Sequence, residues 1–428
     1  MEAELPLALY RAATAALAPF SSALLAWRRH RGKEDAGRLL ERKGLASLPR
    51  RSGALVWLHG ASVGESLSLL PLVQRLAARG FLVLITTGTV SSAQVLKARL
   101  PAGAVHQFVP LDVPRFISRF LDHWRPDLVL IAESELWPNL LCQVSARSIP
   151  IALVNARLSQ RSFARWSRLP RAVASLLRRI DLCLAQSRDD AARLLRLGAP
   201  RVQVAGNLKY DALAPPVGAA ELAALSGCIG SRPVWLAAST HPGEEAIALD
   251  VHRRLAPRFP DLLTIIAPRH AARGGEIEAL AAGCGLVSAR RSNGAAIAGR
   301  TAVYIADTMG ESGLYYRLAG VAFVGKSLAA QGGQNPIEPA KLGSAILHGP
   351  HVENFEEVYR ELDASCGAAE VRDVGALAEA VGALLSDVSS MRKMARAASE
   401  TVERVGGACD RILQALEPYF LQMQVQRR

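Results

Sequence analysis

The sequence has few aromatic residues and no regular spacing of cysteines. Phenylalanine, tryptophan and tyrosine make up 5% of the 428 residues, which argues against a surface built mainly to stack nucleic-acid bases. The six cysteines lie tens of residues apart, without a C-x-x-C or C-x-x-H pair. Zinc sites and disulfide frameworks need closer spacing. We therefore predict neither, and expect buried, reduced thiols in a cytosolic compartment.

The composition also lacks the features of disordered, collagen-like and multi-span membrane proteins. Hydrophobic residues account for 50% of the chain and charged residues for 21%, which is close to the average of folded soluble domains. The net charge is +13. The length favours two domains or one large one, and either can bury a substantial core.

One apolar run near the N-terminus is long enough to contact a membrane. Residues 5–27 (LPLALYRAATAALAPFSSALLAW) match the ~20 residues that a membrane helix needs, although Arg11 and Pro19 weaken the match. Four basic residues follow at once: Arg28, Arg29, Arg31 and Lys33. The positive-inside rule places these on the cytoplasmic side. We predict that residues 1–32 form a membrane anchor or an interfacial helix; a helix packed on the soluble domain is the alternative.

Beyond this run, short stretches rich in Val, Ile and Leu alternate with longer segments of helical period. Such stretches predict strands buried on both faces, with helices between them, as in doubly wound parallel sheets. Seven precede residue 214 and five follow it: 54–60, 81–89, 105–110, 128–135, 150–158, 181–187 and 202–209, then 233–240, 262–270, 302–310, 321–327 and 344–350.

The pattern breaks at residues 214–218, where Pro215 and Pro216 stiffen an exposed connection. We therefore predict an α/β fold of two Rossmann-like, doubly wound parallel-sheet domains that face a cleft. They comprise residues 33–213 and 219–428, with 214–218 as the linker. The helical tail from Val374 to Met423 is a candidate to pack back on the first domain. Ligands of such sheets bind beyond the carboxyl ends of the strands.

One phosphate motif matches by spacing alone. Residues 320–327 (GVAFVGKS) fit G-x-x-x-x-G-K-[ST], but the four intervening residues form an apolar strand. Their amides are expected in the sheet ladder, so we predict no P-loop function. No G-x-G-x-x-G opens a helix after a predicted strand, which leaves nicotinamide or flavin chemistry poorly supported.

Three motifs of the first domain carry candidate catalytic side chains. In HGASVGES (59–66), Glu65 lies in the first turn of a helix, where a carboxylate can also be a simple cap. In IAESELWPN (131–139), Glu133 and Glu135 end a strand; period two points them to one side, where two carboxylates are costly unless a substrate or cation uses them. In GNLKYD (206–211), Lys209 is a partner for phosphate or carboxylate, or a solvated cation.

Three motifs of the second domain suit an anionic ligand. Arg269 in APRH (267–270) follows a buried strand and can bind phosphate or carboxylate with two hydrogen bonds. DTMGESGLYY (307–316) and GGQNPIEPAKLG (332–343) lead through glycine loops into helices whose free N–H groups can hold phosphate. Glu311 or Glu338 would accept ribose hydroxyls, although helix capping explains these loops equally well.

A basic stretch and two histidines complete the candidate residues. Residues 157–179 contain seven arginines, interleaved with Phe163 and Trp166. They form a solvated helix face or, beside a membrane segment, bind anionic lipid headgroups. His59 and His241 end strands and are predicted to be hydrogen-bonded structural residues rather than metal ligands.

Together these motifs resemble the 3-deoxy-D-manno-octulosonic acid (Kdo) transferases of lipopolysaccharide synthesis. The resemblance covers nearly the whole chain in family order: WLHGASVGES, ESELWPN, VNARLSQRSF, GNLKYD, AASTHPGEE, APRH, DTMGE and GGQNPIEP. It implies the two-lobed GT-B fold and transfer of Kdo from CMP-Kdo to the lipid A precursor, lipid IVA, at the cytoplasmic face of the inner membrane. The implied partners are an acceptor with an anionic headgroup and the inner membrane, without nucleic acid, metal or a cofactor besides the donor substrate.

The resemblance also implies roles for individual residues. Glu65 matches the proton acceptor, whereas Glu133 and Lys209 match groups that stabilise the transition state. Attack from the face opposite CMP predicts inversion. Nine residues would hold the donor nucleotide, of which Pro336 has no N–H to offer: Pro268, Arg269, Met309, Gly310, Glu311, Asn335, Pro336, Ile337 and Glu338.

Two other interpretations remain open from the sequence. One is a different two-lobed sugar-nucleotide enzyme, either an epimerase or another lipid-linked glycosyltransferase. The other is a basic membrane-bound binding protein without catalysis. The predicted carboxylates Glu65 and Glu133 count against the second.

Overall fold

The computed structural model describes residues 5–97, 99–211, 214–215 and 217–425. The contacts within the chain define two compact units: unit 1 comprises Met1–Ala212 and Gly406–Arg428, and unit 2 comprises Leu213–Val405. Residues 1–4 of the predicted anchor, residues 212–213 at the predicted domain end and Pro216 of the predicted linker lie outside the described residues. The bounds of the linker therefore stay a prediction.

Unit 1 holds a sheet of seven parallel strands in the order β3-β2-β1-β4-β5-β6-β7. Each lies within one of the first seven predicted stretches: β1 (Leu55–His59), β2 (Leu82–Thr87), β3 (Ala104–Phe108), β4 (Leu128–Ala132), β5 (Ile151–Ala156), β6 (Leu182–Ala185) and β7 (Val202–Val204), with β3 beginning one residue early. β1 and β4 are buried throughout, because helices cover both faces of a parallel sheet.

In the described residues up to 211, nine α-helices precede, connect or flank these strands: α1 (Leu5–Ala16), α2 (Ser21–His30), α3 (Val63–Ala78), α4 (Val90–Lys97), α5 (Pro114–Trp124), α6 (Pro138–Ala146), α7 (Gln160–Trp166), α8 (Pro170–Leu177) and α9 (Arg188–Arg196). The basic stretch 157–179 thus forms two short helices, α7 and α8. Helix α7 has no buried residue.

Unit 2 repeats the plan with seven parallel strands in the order β10-β11-β9-β8-β12-β13-β14. The strands are β8 (Val234–Thr240), β9 (Leu263–Pro268), β10 (Ser288–Arg290), β11 (Val303–Ile305), β12 (Val321–Val324), β13 (Ala345–His348) and β14 (Ala368–Glu370). The sequence did not predict β10 and β14. Both are three-residue edge strands, too short to produce a hydrophobic pattern.

The part of unit 2 that the structure describes forms eight α-helices: α10 (Ala219–Ile229), α11 (Glu244–Leu255), α12 (Gly274–Gly283), α13 (Ser312–Leu318), α14 (Ile337–Lys341), α15 (Glu356–Ala364), α16 (Val374–Ser386) and α17 (Val388–Val405). The α/β architecture with two parallel sheets is therefore confirmed.

The last helix, α18 (Ala408–Val425), packs in unit 1 and not with residues 219–405 of the predicted second domain. Its residues Ile412, Leu413 and Leu416 are fully buried in the apolar cluster that contains strands β1, β2 and β4. The carboxylate of Asp211 accepts hydrogen bonds from the N–H groups of Gly407 and Cys409 at 2.6 and 2.5 Å. The predicted tail thus divides, because one face of the first sheet needs the apolar side of α18 as its cover.

The N-terminal apolar run does not form one continuous helix. A short 3₁₀ turn at Ala18–Phe20 separates α1 from α2, since Pro19 cannot donate the hydrogen bond of a helix interior. Leu7 and Leu25 are buried. Within the part of the chain that the structure describes, no single helix has both the length and the apolar composition to cross a membrane; one bent pair, Val374–Ser386 with Val388–Val425, meets those two criteria.

Candidate active site

Glu65 lies at the carboxyl edge of the first sheet, in the first turn of α3. Ser62 caps this helix, and the Glu65 carboxylate accepts hydrogen bonds from the Ser62 hydroxyl at 2.7 Å and the Ala61 N–H at 2.9 Å. The Glu65 N–H donates in return to the Ser62 hydroxyl at 3.3 Å, so the arrangement resembles a capping box, with the N–H of Ala61 in place of that of the N-cap residue. A Cβ on Gly60 would lie 3.2 Å from the Glu65 Cβ. Because glycine has no Cβ, the backbone at the end of β1 can lie this close to Glu65. The carboxylate is held in place and stays partly exposed.

Glu133 follows β4 in a left-handed conformation, with φ of 53°, which is uncommon for a residue other than glycine. The strand ends at Ala132, so the alternation that we used to place Glu133 and Glu135 on one side does not apply, and that argument was wrong. Glu135 instead lies in the turn that follows, where its carboxylate accepts a hydrogen bond from the Trp137 indole at 2.7 Å. Both carboxyl groups are partly buried.

Lys209 lies in a 3₁₀ turn, Leu208–Asp211, which two asparagines hold. The Asn155 Oδ1 accepts a hydrogen bond from the Leu208 N–H at 2.9 Å, and the Asn207 Oδ1 accepts one from the Lys209 N–H at 3.0 Å. Asn155 is fully buried, has φ of 52° and lies where the pairing of β5 with β6 becomes irregular. We did not single out Asn155 from the sequence; a buried asparagine at a strand end was the available signal.

The structure brings the three predicted catalytic side chains together. Burial raises the pKa of Glu133; the charge of Lys209 lowers it and the charge of Glu65 raises it again. Burial and then the charge of Glu65 also raise the pKa of Glu135. The sheet order reverses between β1 and β4, and these strands lead to Glu65 and Glu133. A topological switch point is where such folds bind ligands.

Pro268 and Arg269 lie at the carboxyl edge of the second sheet. Pro268 ends β9, and the N–H of Arg269 donates to the carbonyl of Thr240, at the end of β8, at 3.0 Å. The Arg269 side chain is exposed, so its guanidinium is available to an anion. Met309 and Gly310 form an exposed loop before α13.

Glu311 is already engaged by protein donors. Its carboxylate accepts two hydrogen bonds from Arg291, at 2.7 and 3.1 Å, one from the Tyr315 hydroxyl at 3.0 Å and one from Thr308. Burial raises the pKa of Glu311, but the hydrogen bonds of Arg291, Thr308 and Tyr315 outweigh it and leave the pKa below its usual value. In the structure, Glu311 thus holds Arg291, Thr308 and Tyr315 together through hydrogen bonds. Its contact with a ribose stays a prediction.

The Asn335–Glu338 segment leads into the short helix α14. The Asn335 Oδ1 accepts a hydrogen bond from the Ile337 N–H at 3.0 Å, so the protein itself uses this amide, and Pro336 contributes none. Ser312 donates to the Glu338 carboxylate at 3.3 Å, which brings this segment next to the start of α13. The two predicted donor loops of unit 2 therefore meet.

The motif GVAFVGKS does not form a P-loop. Residues 321–324 form β12, paired with β8 and β13 as predicted. The N–H groups of Lys326, Ser327 and Leu328 donate instead to the carboxylate of Glu244, at 2.7, 3.0 and 3.1 Å. A protein carboxylate thus occupies the turn amides that a P-loop offers to phosphate. We did not single out Glu244 from the sequence.

The two histidines that we predicted to be structural differ in their surroundings. His59 is buried and its Nδ1 contacts the Thr86 hydroxyl at 3.0 Å; burial lowers its pKa to about 4, which confirms a neutral, structural imidazole. His241 is partly exposed, with its Nε2 3.1 Å from the Gln334 amide nitrogen. Among the described residues, no group of three or more His, Cys, Asp or Glu side chains is placed to hold a metal ion.

The cysteines are only partly buried. Cys183 and Cys409 are buried and Cys142 is half-buried, whereas Cys228, Cys284 and Cys366 are exposed. The expectation of buried thiols was therefore wrong for these last three.

The chain is similar to known proteins over most of its length. A family model described as 3-Deoxy-D-manno-octulosonic-acid transferase (kdotransferase) matches residues 37–212. The 3-deoxy-D-manno-octulosonic acid transferase of Haemophilus influenzae is 36% identical over 392 residues, which cover 90% of this chain and 91% of that protein. The transferase of the same name from Bordetella pertussis is 37% identical over 387 residues, or 88% of this chain and 90% of its own.

Among solved structures, a putative UDP-N-acetylglucosamine 2-epimerase from Listeria monocytogenes has a TM-score of 0.58, at 15% identity, over 87% of this chain and 98% of its own. At that identity the likeness extends to the fold alone. The two sequence relatives are similar enough, over enough of both chains, to fix the family. This chain therefore belongs to the 3-deoxy-D-manno-octulosonic acid transferase family.

Proposed function

We propose that this protein is an inverting glycosyltransferase that moves Kdo from CMP-Kdo to lipid IVA. The observation that carries the proposal is the grouping of Glu65, Glu133 and Lys209 at the switch point of the first sheet, in a chain of this family. A lone capping glutamate would not need a second carboxylate and a lysine beside it.

Glu65 is the proton acceptor in this proposal. A sugar hydroxyl is a weak nucleophile near neutral pH, so a carboxylate within hydrogen-bond reach must take its proton as the new bond forms. The two hydrogen bonds from Ala61 and Ser62 fix the carboxylate. An ionised carboxylate has about four acceptor positions, so room is left for the acceptor hydroxyl.

Glu133 and Lys209 stabilise charge that develops on the sugar. As the bond to the phosphate opens, positive charge grows at the anomeric centre, and a carboxylate beside it is stabilising. Lys209 offsets part of the negative charge of Glu133. Attack from the face opposite the departing CMP gives inversion.

Unit 2 holds the nucleotide in this proposal. Negative charge grows on the phosphate as CMP departs, and the exposed guanidinium of Arg269 can bind it with two charge-assisted hydrogen bonds. The joined loops that carry Met309 to Glu311 and Asn335 to Glu338 enclose the rest of the nucleotide.

The test is Glu65→Gln, assayed by mass spectrometry of lipid IVA incubated with CMP-Kdo. Loss of a general base lowers turnover by ~10²- to 10⁴-fold, while the melting curve and CMP affinity stay unchanged. The exposed Glu379→Gln is the matched control and should keep full activity. Full activity of Glu65→Gln would contradict the assignment. Conversion of a nucleotide sugar without any lipid acceptor would favour an epimerase instead.

We also infer attachment to the cytoplasmic face of the inner membrane through α1 and α2. Six large apolar side chains of this segment are 46 to 68% exposed: Leu5, Leu9, Leu17, Phe20, Leu24 and Trp27. Exposed apolar residues of soluble monomers are normally scattered singly, whereas these six lie within one segment of 23 residues. The Arg31 guanidinium lies 4.3 Å from the Trp27 ring centre, an arrangement suited to the headgroup layer.

Vesicle flotation of the full chain tests this attachment. Leu9→Asp with Phe20→Glu should abolish binding to vesicles that contain anionic lipid, because both substitutions place charge in the interface. Leu195→Asp, which alters an equally exposed leucine on α9, should bind like the wild type. Unchanged flotation of the double variant would exclude this face as the attachment surface.

A further inference from the structure

A set of basic side chains surrounds the switch point of the second sheet. There the sheet order reverses between β8 and β12. His241 directly follows β8, and Lys326 lies two residues after the end of β12. Arg269 and His270 follow the neighbouring strand β9. Their side chains therefore start from the edge where ligands of such sheets bind.

These side chains share one electrostatic site. The His241 and His270 rings lie 5.9 Å apart between centres. Burial lowers the pKa of His241, Glu244 raises it, and the positive charges of Lys326, His270 and Arg269 lower it further. The Glu244 carboxylate that faces this site is itself bound by four backbone N–H groups, those of His241, Lys326, Ser327 and Leu328. Apart from Glu244, the charged side chains at this site, Lys326 and Arg269, are positive. Such a site favours the binding of an anion.

The backbone of Lys326 is held in an uncommon conformation. Its φ is 58°, its N–H donates to Glu244 at 2.7 Å, and its carbonyl accepts from the Gly333 N–H at 2.7 Å. A Cβ on Gly332 would lie 3.3 Å from both the Cε and the Nζ of Lys326. The glycine loop thus packs directly on the lysine side chain. Strained conformations of this kind concentrate at functional sites.

The chemistry of the donor gives this lysine a partner. CMP-Kdo carries two anionic groups on one carbon, because the phosphate oxygen and the sugar carboxylate are both bonded to the anomeric carbon. Arg269 suits the phosphate, which leaves the carboxylate in need of a second cation nearby. A sugar nucleotide without this carboxylate would need only the cation that binds its phosphate.

We propose that the Lys326 ammonium binds the carboxylate of the donor sugar and thereby selects an ulosonic acid over a neutral sugar. This rests on the proposed function, since it takes CMP-Kdo as the donor. Glu244 is a positioning residue for Lys326: its carboxylate binds the amides of the turn and fixes where the side chain starts. Lys209 keeps its separate role in unit 1, where its charge offsets that of Glu133.

The experiment compares the affinities of CMP and CMP-Kdo by calorimetry, without acceptor, in wild type and in Lys326→Met. We expect the Kd of CMP-Kdo to rise ~10- to 100-fold, the range for loss of a hydrogen bond to a charged group, and the Kd of CMP to stay unchanged. Lys326→Arg should retain most of the preference. As the control, Arg269→Gln should weaken both ligands.

The ratio of the two Kd values separates the outcomes. Equal weakening of both ligands by Lys326→Met, in a variant that melts at the wild-type temperature, would assign Lys326 to the phosphate and overturn the proposal. If Lys326→Met melts at a lower temperature, Lys326→Arg decides, and loss of the preference for CMP-Kdo in that variant overturns the proposal. Unchanged affinities for both ligands would overturn it as well. Should the wild type neither bind CMP-Kdo nor release CMP from it, the proposed function itself fails. A wild type that binds and turns over CMP-Kdo, with a Lys326→Met variant that does so equally well, refutes only the role of Lys326.

Discussion

At the scale of single residues, Glu133 combines features that each cost free energy of folding. Its backbone is left-handed, and such a conformation costs ~1–3 kcal/mol in a residue other than glycine. Its carboxylate is partly buried next to another carboxylate, Glu65, and Lys209 compensates only part of this, because the net shift of the Glu133 pKa is upward. Sites that bind a developing cation must accept this cost.

We therefore predict that Glu133→Gln raises the melting temperature at pH 7 and at the same time lowers Kdo transfer. The raised pKa means that the folded state holds the proton more tightly than the unfolded state, so ionisation destabilises the fold. The gain should be small below pH 4.5, the ordinary value of the pKa, and should grow as the pH rises through the native pKa. Calorimetric scans at several pH values, with Glu379→Gln as the control, check this. A pH-independent gain would contradict the explanation.

The sequence predicted those residues of the candidate site that lie in recognisable local motifs. Glu65, Glu133 and Lys209 were identified from their motifs, and the structure groups them. Asn155 and Glu244 were not identified, because their contribution is to hold backbone N–H groups of distant turns, and the local sequence does not indicate which turn comes near. The alternation argument for Glu135 failed because a left-handed residue ends the strand.

At the scale of secondary-structure elements, four parallel strands have a left-handed residue at or just after their carboxyl ends. Glu133, Asn155, Ser239 and Lys326 all have φ between 52 and 58°, at or just after the carboxyl ends of β4, β5, β8 and β12. The pairings of β5 and β8 become irregular there. In β5 and β8 the left-handed residue stands just before the last paired residue and interrupts the regular pairing. In β4 and β12 it lies after the last residue of the strand.

Asn155 is the clearest case for a test. Asn155→Ala removes the acceptor of the Leu208 N–H and leaves that buried donor without a partner, which costs ~1–3 kcal/mol. We expect a lower free energy of unfolding in urea and a reduced rate of transfer, because the turn that carries Lys209 loosens. Asn155→Gly also removes the acceptor but tolerates the left-handed conformation. It should recover part of the stability and none of the rate; recovery of the rate would show that strain alone matters.

At the scale of the whole molecule, the buried imidazoles of His59 and His252 and the half-buried imidazole of His106 make stability depend on pH. Burial lowers the pKa of His59 to about 4, of His106 to about 3 and of His252 to about 4, from 6.5. The unfolded chain binds protons at these positions below pH 6.5, whereas the folded chain does not. Stability is therefore complete above pH 6.5 and falls as the pH drops towards the native values.

We predict that the free energy of unfolding decreases between pH 6.5 and pH 5, and that His59→Asn makes this decrease shallower. A fully shifted histidine contributes at most ~1.4 kcal/mol per pH unit to the slope. Urea unfolding at pH 7, 6 and 5 measures it, and His30→Asn, at an exposed position, is the matched control. An unchanged slope in His59→Asn would contradict a neutral His59 in the folded state.

The two units show what local sequence determines. Both begin their sheet with Val-Trp-Leu, and in each the indole N–H donates to a threonine of the next strand: Trp57 to Thr86 at 2.9 Å and Trp235 to Thr264 at 2.8 Å. Both then continue through a Gly-Glu pair into a helix, at Glu65 and at Glu244. The order of strands and helices follows from such patterns, because burial on two faces and helix capping are local requirements.

Tertiary structure alone decided what each of these glutamates does. Glu65 keeps a partly exposed carboxylate, with two hydrogen bonds from its own turn. Glu244 is buried, because the turn after β12, eighty-odd residues away, places three N–H groups against it. The same Gly-Glu pair thus provides a candidate base in unit 1 and, in unit 2, a carboxylate that holds the turn after β12. The difference arises from which distant backbone donors satisfy the carboxylate, and only the folded chain brings those donors to it.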